Sequence, residues 1–229
     1  KLAALKNEFI SNITHELKTP IATVSVAIEA LKGFDAIKDP ERTKEYLDIS
    51  TQELQRLSLL VDKVLKLSMF EKQEIRINEE PVALDQVVDE VLQSMRLQFE
   101  RVHAHVEVQT QGDDFTIKGD RLHLLSVIYN LLDNALKYSN TKPAIQVNLK
   151  DCETAVELSV TDNGIGIAPE YKDKIFDKFF RVPIGDRHNV KGYGLGLSYL
   201  AYVVSLHHGT VAVESQPGIG SRFTIKLPK

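Results

Sequence analysis

Nine apolar residues near the start of this 229-residue chain, Leu2, Leu5, Phe9, Ile13, Leu17, Ile21, Val24, Ile28 and Leu31, recur in steps of three and four. That spacing lines side chains along one face of an α-helix and predicts a single long helix over residues 1–33. Nothing caps its start, so the helix is expected to continue upstream in a longer protein. The opening KLAALKNEFI agrees, having neither an initiator Met nor the layout of a secretory signal. Gly33, Asp35, Asp39 and Pro40 supply a stop and a turn. A second stripe through Leu47, Leu54, Leu57, Val61, Val64 and Leu65 lies close to a seven-residue repeat. Residues 1–70 therefore read as an antiparallel helical hairpin. Two helices cannot enclose stripes this long, but two hairpins can, as a four-helix bundle. A homodimer is the expectation.

From Glu71 the pattern changes. Ile75 and Ile77 alternate briefly, Val87, Val88, Val91, Leu92 and Met95 trace a helix, and VEVQT at 106–110 reads as a strand. Asp120 is placed to cap a helix running to Tyr138. AIQVNL (144–149) and AVELSVTD (155–162) alternate as half-buried strands, a helix follows over about 194–207, and TVAVES and SRFTIKL close the chain. Strands interleaved with helices, several of them in sequential hairpins, predict an α/β sandwich with helices on one face. The fold class is α+β, with domains at 1–72 and 73–229. The longest apolar run, 199–204, is far too short to span a bilayer. A formal net charge of −4 with mixed signs throughout gives no footprint for nucleic acid or a direct membrane contact. Cys152 is the sole cysteine, which excludes an intrachain disulfide and a thiolate zinc cluster.

Three places carry chemistry. In HELKTP, His15 is turned away from Ile13 and Leu17, because two residues rotate a helix by about 200°. Pro20 lacks the N–H that would reach the Glu16 carbonyl and is expected to bend the helix there. Thr19, four residues on, shares the face of His15. An exposed imidazole beside a carboxylate and a hydroxyl is a workable nucleophile: one ring nitrogen attacks while the other yields its proton to a base. In HLLSVIYNLLDNALKYS, Asn130, Asn134 and Lys137 share one helix face, opposite Leu125, Ile128, Leu132 and Leu136. That face is either plainly solvated or a set of hard amide ligands suited to Mg²⁺. DNGIGIAP at 162–169 is either a hairpin turn or a loop whose glycines let backbone approach a flat ligand, with Asp162 accepting from an exocyclic amine. Gly192, Gly194 and Gly196 precede a helix, where bare N–H groups suit an anion. No Walker-type lysine or strand-then-GxGxxG pattern is present. His103, His105, His123, His188 and His207 sit at no metal-ligand spacing and read as structural or surface residues.

Taken together, HELKTP, NLLDNALKYS, DNGIGI, IFDKFFR (175–181) and GYGLGL (192–197) resemble, in order and separation, the phosphoacceptor, N, G1, F and G2 boxes of sensor histidine kinases. The resemblance covers nearly the whole chain. It implies a dimerisation and phosphotransfer hairpin followed by an ATP-binding domain of the Bergerat type. His15 would be phosphorylated from ATP and pass the phosphoryl group to an aspartate on a response-regulator receiver domain. Glu16 would orient it and take its proton, and Thr19 would position water for dephosphorylating the regulator. Asn134, with Asn130, would bind Mg²⁺. Lys137 and Tyr138 would contact phosphate or ribose, and Asp162 would read adenine. Gly164, Gly166, Phe180, Gly192, Gly194, Leu195, Gly196 and Thr224 would line the nucleotide site. Residues 176–193 would form a lid, with Arg181 or Arg187 near the γ-phosphate. His208 departs from the family, which often has a glycine there. The alternative is a phosphatase-dominant or nucleotide-binding signalling module with little kinase activity. The resemblance also implies the cytoplasmic portion of a longer inner-membrane sensor.

Overall fold

The computed structural model describes residues 2–33, 39–71, 75–139, 142–183 and 194–229, with side chains for all of these except 2–13, 55, 56 and 58–71. The chain divides into two compact units, Lys1–Ile75 and Arg76–Lys229.

The first unit is a hairpin of α1 (Leu2–Gly33) and α2 (Pro40–Glu71). Asp39 begins α2, its Oδ1 accepting from the Glu41 and Arg42 amides at 3.1 and 3.2 Å, as an N-cap does. Among the described side chains only Pro20, Ala27 and Ser50 of the hairpin are buried. Ile21, Val26, Ile28, Leu47 and Leu54 stand 43–64% exposed. Most of them belong to the two apolar stripes, so a single hairpin leaves much of its stripe surface in water.

The second unit runs β1 (Glu80–Ala83), α3 (Leu84–Arg101), β2 (His105–Gln111), β3 (Thr116–Gly119), α4 (Arg121–Lys137), β4 (Ala144–Asp151), β5 (Ala155–Asp162), a short 3-10 turn at Pro169–Tyr171, α5 (Gly196–Leu206), β6 (Thr210–Gln216) and β7 (Gly220–Pro228). Five strands form one sheet in the order β2-β4-β5-β7-β6, and β1 pairs with β3 in a separate ladder. Among the described strands only β2 and β4 pair in parallel. A parallel pair cannot be joined by a tight turn, so the chain between them crosses over through β3 and α4, which puts α4 on one face of the sheet.

That face holds the core. Ile145, Val147 and Leu149 of β4, Val156, Leu158 and Val160 of β5, and Phe223, Ile225 and Leu227 of β7 are buried against Leu124, Ile128, Leu131 and Leu132 of α4, with Met95 of α3 and Leu200 and Val203 of α5. The intervening residues Asn148, Glu157, Ser159 and Arg222 line a shallow trough of about 310 Å³ on the other face. Alternation thus sorts every strand residue to the core face or the outer face. The ladder β1–β3 was not legible, because four residues each of EPVA and TIKG are too few to show a period.

Two helix ends need comment. Asp120 caps α4, its Oδ1 accepting from the Leu122 and His123 amides at 3.1 Å each. Its Oδ2 accepts from Asn78 N at 3.0 Å. Burial alone would raise this carboxyl, but the amide bonds outweigh it and hold its pKa below the ordinary value. At the end of α5, His208 adopts φ +57. This is the left-handed conformation in which helices commonly end and which glycine adopts at least cost, so the departure from the family's glycine leaves the cap geometry in place.

Candidate functional site

On the first unit, α1 continues as one helix through Pro20. His15 and Thr19 are both exposed and Glu16 is half-buried. The Thr19 hydroxyl donates to the His15 carbonyl at 3.3 Å. The imidazole and the hydroxyl therefore share one face of the helix, a turn apart, and the hydroxyl oxygen keeps lone pairs for water.

On the second unit, α4 buries Leu124, Val127, Ile128, Leu131, Leu132 and Ala135. Measured from the middle of this arc, Asn134 lies about 90° around the helix, Asn130 about 130° and the exposed Lys137 about 150°, so the two asparagines stand on its flank. Leu125 and Leu136 are correspondingly only half-buried. The flank faces α5: a methyl group at Gly196 would stand 3.3 Å from Asn130 Oδ1. Lys137 forms an ion pair with Asp133, one turn back. Tyr138 caps the end of α4, and its carbonyl accepts from Ile165 N at 3.0 Å.

That last bond ties α4 to the loop after β5. Asp162 ends β5 with its side chain on the core face. Its Oδ1 accepts from Gly164 N at 2.8 Å and Ser221 N at 3.3 Å. Burial pushes this carboxyl above the ordinary range despite both amide bonds. Asn163 staples the loop to the start of β4, accepting from Ala144 N at 2.9 Å and donating to the Lys142 carbonyl at 3.0 Å. The loop is therefore not the turn of a hairpin. Gly166, at φ +69, lies so close to the Gln216 carbonyl that a Cβ would stand 2.0 Å from its oxygen. Gly166 therefore fits the loop against the β6–β7 turn.

Two serines complete this end of the sheet. Ser215 Oγ accepts from Ile167 N at 2.8 Å, donates to the Gly220 carbonyl at 2.8 Å and lies 2.9 Å from Ser221 Oγ. Neither serine was singled out from the sequence. Thr224 was, and its placement there needs correcting: it pairs with Ser159 and Ala212, on the outer face of the sheet. Phe223, Ile225 and Leu227 point to the core, so Thr224 between them points away from Asp162, whereas Ser221 points toward it. The period of two in SRFTIKL already carried this signal.

The segment after the 3-10 turn and the start of α5 meet at their ends. Phe179 N donates to the Gly194 carbonyl at 2.9 Å. Gly194, at φ +68, leaves no room for a side chain, since a Cβ would stand 2.7 Å from the Phe179 carbonyl carbon. Phe180 is half-buried with its ring 5.9 Å from that of Tyr171, and Arg181 is exposed. Arg187 and Gly192, with most of the expected lid, lie outside the described residues. Leu195 begins α5 without a capping side chain, and Ser198 Oγ donates to the Leu195 carbonyl at 3.0 Å. The first amides of α5 are thus open to an anionic ligand. Among the described residues, no group of three or more His, Cys, Asp or Glu side chains is placed to hold a metal ion. The amide oxygens of Asn130 and Asn134 fit a hard cation that arrives with phosphate oxygens and keeps its own waters.

This geometry has close counterparts. The family model described as His Kinase A (phospho-acceptor) domain matches residues 5–73, and that described as Histidine kinase-, DNA gyrase B-, and HSP90-like ATPase matches residues 119–229. Sensor protein RprX of Bacteroides fragilis is 37% identical over 230 residues, covering 100% of this chain and 44% of RprX. The chain spans about half the length of the relatives it matches. Among solved structures, the mycobacterial sensor histidine kinase MprB is 32% identical with a TM-score of 0.57, covering 66% of this chain and 97% of that one. The histidine kinase ThkA, in complex with the response regulator protein TrrA, is 26% identical with a TM-score of 0.63, covering 99% of this chain and 63% of that one.

Proposed function

The chain belongs to the sensor histidine kinases, and we propose that it catalyses ATP-dependent autophosphorylation of His15 and passes the phosphoryl group to an aspartate of a response-regulator receiver domain. The observation that carries the reading is the pairing, in one chain, of a phosphoacceptor hairpin bearing an exposed histidine with an ATPase-family domain. Membership of that ATPase family implies ATP binding. In the proposed step one imidazole nitrogen of His15 attacks the γ-phosphorus, the bond to the β–γ bridging oxygen breaks, and ADP departs. The other ring nitrogen gives its proton to Glu16. In transfer, the N–P bond breaks as a carboxylate oxygen of the regulator forms its bond to phosphorus, and the ring takes back one proton, which restores His15.

The site roles are part of the same proposal. Asp162 accepts from the adenine amine, with Ser221 and the glycine loop 164–166 around the base. Tyr138 and Lys137 approach ribose or phosphate, and Phe180, Leu195, Gly194, Gly196 and the α5 amides receive the phosphates. Arg181 or Arg187 serves the γ-phosphate. Asn130 and Asn134 hold Mg²⁺, which would neutralise charge on the phosphate oxygens. Thr19 positions water for hydrolysis of the regulator's acyl phosphate, a phosphatase activity supported by its hydroxyl lying on the face of His15. The hairpin, 1–72, dimerises through its exposed stripes, which the phosphoacceptor family match also supports. No described helix is long and apolar enough to cross a membrane. Placing these residues as the cytoplasmic portion of a longer membrane sensor rests on the length of the relatives. Incubation with γ-labelled ATP tests the core of the reading: label should enter the protein, be lost in acid, and be absent from His15→Gln. Acid-stable label, or label in His15→Gln, would refute it.

A further inference from the structure

α4 and α5 pack with opposite directions, and three contacts mark the seam between them. At one end His207, buried to 4% exposure, joins the C-terminus of α5 to the cap of α4: its Nδ1 lies 2.8 Å from the Val203 carbonyl, and its Nε2 accepts from Asp120 N at 2.9 Å. At the other end Gly196 faces Asn130. Between them Tyr199 Oη and His123 Nδ1 lie 2.7 Å apart. Tyr199 is 9% exposed, and burial pushes its phenol up to about 12.

We propose that Tyr199 and His123 are positioning residues for the nucleotide site, their hydrogen bond fixing where the N-terminus of α5 stands against Asn130. Both residues lie within two turns of that point. Tyr199 N donates to the Leu195 carbonyl at 2.9 Å, in the first turn of α5. His123 precedes Asn130 by seven residues, two turns along the same flank of α4. Apolar packing alone lets two helices slide by fractions of an ångström at small cost. A directional bond to a buried hydroxyl does not, because sliding would stretch the bonds that the hydroxyl makes to His123 and to the Ser126 side chain, both on α4. The bond therefore sets the distance between the open α5 amides and the amide oxygen of Asn130, the two groups that would receive phosphate and its cation. This rests on the nucleotide-binding reading above.

The test uses the whole chain, with the ATP analogue AMPPNP and Mg²⁺ in calorimetry and ATP in autophosphorylation. Tyr199→Phe keeps the ring and its packing and removes only the hydroxyl. The expected result is a Kd for AMPPNP and a KM for ATP both raised about three- to tenfold, the range one neutral hydrogen bond is worth, with kcat within about twofold. His123→Leu should do the same. His123→Gln, which can still bond the hydroxyl, should stay close to wild type. The double variant Tyr199→Phe/His123→Leu should be no weaker than Tyr199→Phe alone, which already removes every bond of the hydroxyl. A wild-type chain that binds AMPPNP, with both single variants binding equally well, would overturn the inference alone, whatever their melting temperatures. Additive losses in the double variant, or a His123→Gln as weak as His123→Leu, would overturn it too. A wild-type chain that does not bind AMPPNP would overturn the inference together with the nucleotide-binding reading.

Discussion

Asp162→Asn should separate stability from recognition at one carboxyl. Asp162 Oδ1 already takes two backbone amides, Gly164 N at 2.8 Å and Ser221 N at 3.3 Å. In the variant the side-chain carbonyl oxygen must stay on those amides, which leaves the new NH₂ group pointing where Oδ2 was. An adenine amine arriving there would meet a donor instead of an acceptor. Losing a hydrogen bond to a charged group costs about 1.5–3 kcal/mol, so affinity for AMPPNP should fall roughly 10- to 100-fold. Stability should move the other way or stay level. Burial raises the pKa of Asp162 in the folded state, so what this carboxyl adds to stability is present below its unfolded pKa and lost as pH rises through the raised folded one. Near neutrality the folded protein carries the cost of a buried charge, which Asn removes. In wild type, nucleotide affinity should weaken on acidification at a higher pH than an ordinary carboxylate would dictate. Calorimetry with AMPPNP and thermal melts of both proteins across pH 4–8, roughly spanning the carboxylate range, would measure this. Unchanged affinity, or a melting temperature several degrees lower at neutral pH, would refute the reasoning.

Asn134→Ala should abolish label transfer from ATP and make nucleotide affinity less dependent on Mg²⁺ while leaving the melt unchanged within about 1 kcal/mol, since this side chain is on the flank of α4 and outside its core arc; unchanged activity would return the flank to plain solvation. Thr19→Ala should still accept phosphate on His15, yet phosphorylated regulator should persist longer beside it than beside wild type; equal decay, with wild type above background, would remove Thr19 from the mechanism. Asp120→Ala should cost about 1–2 kcal/mol in chemical denaturation, the worth of an N-cap. Because the folded pKa of Asp120 is depressed, its contribution is present above the unfolded pKa and lost as pH falls through the folded one, so the gap between variant and wild type should close in acid.

What the sequence disclosed follows from which signals are local. The two helices of the hairpin and the strands at 144–151 and 155–162 show their period within a few residues of themselves, and Asp120 announces its helix from one position away. The flank of α4 was half legible. The i, i+4, i+7 spacing grouped Asn130, Asn134 and Lys137, but that Asn130 faces α5 depends on where Gly196, 66 residues later, returns. Thr224 entered the site through the resemblance alone, and the phase of its strand puts it on the outer face, since a shift of one residue moves a side chain to the other face. The histidines show the same limit from the other side. Nothing local distinguishes His123 or His207 from the exposed His103 and His105, because their partners are Tyr199 and Asp120, 76 and 87 residues away. Those long-range bonds are where α4 and α5 acquire a fixed register, and the groups proposed to receive phosphate are divided between these two helices. The site is therefore a property of the seam as much as of the boxes that mark it in the sequence. Substitutions along the seam should alter nucleotide binding even where they touch no ligand.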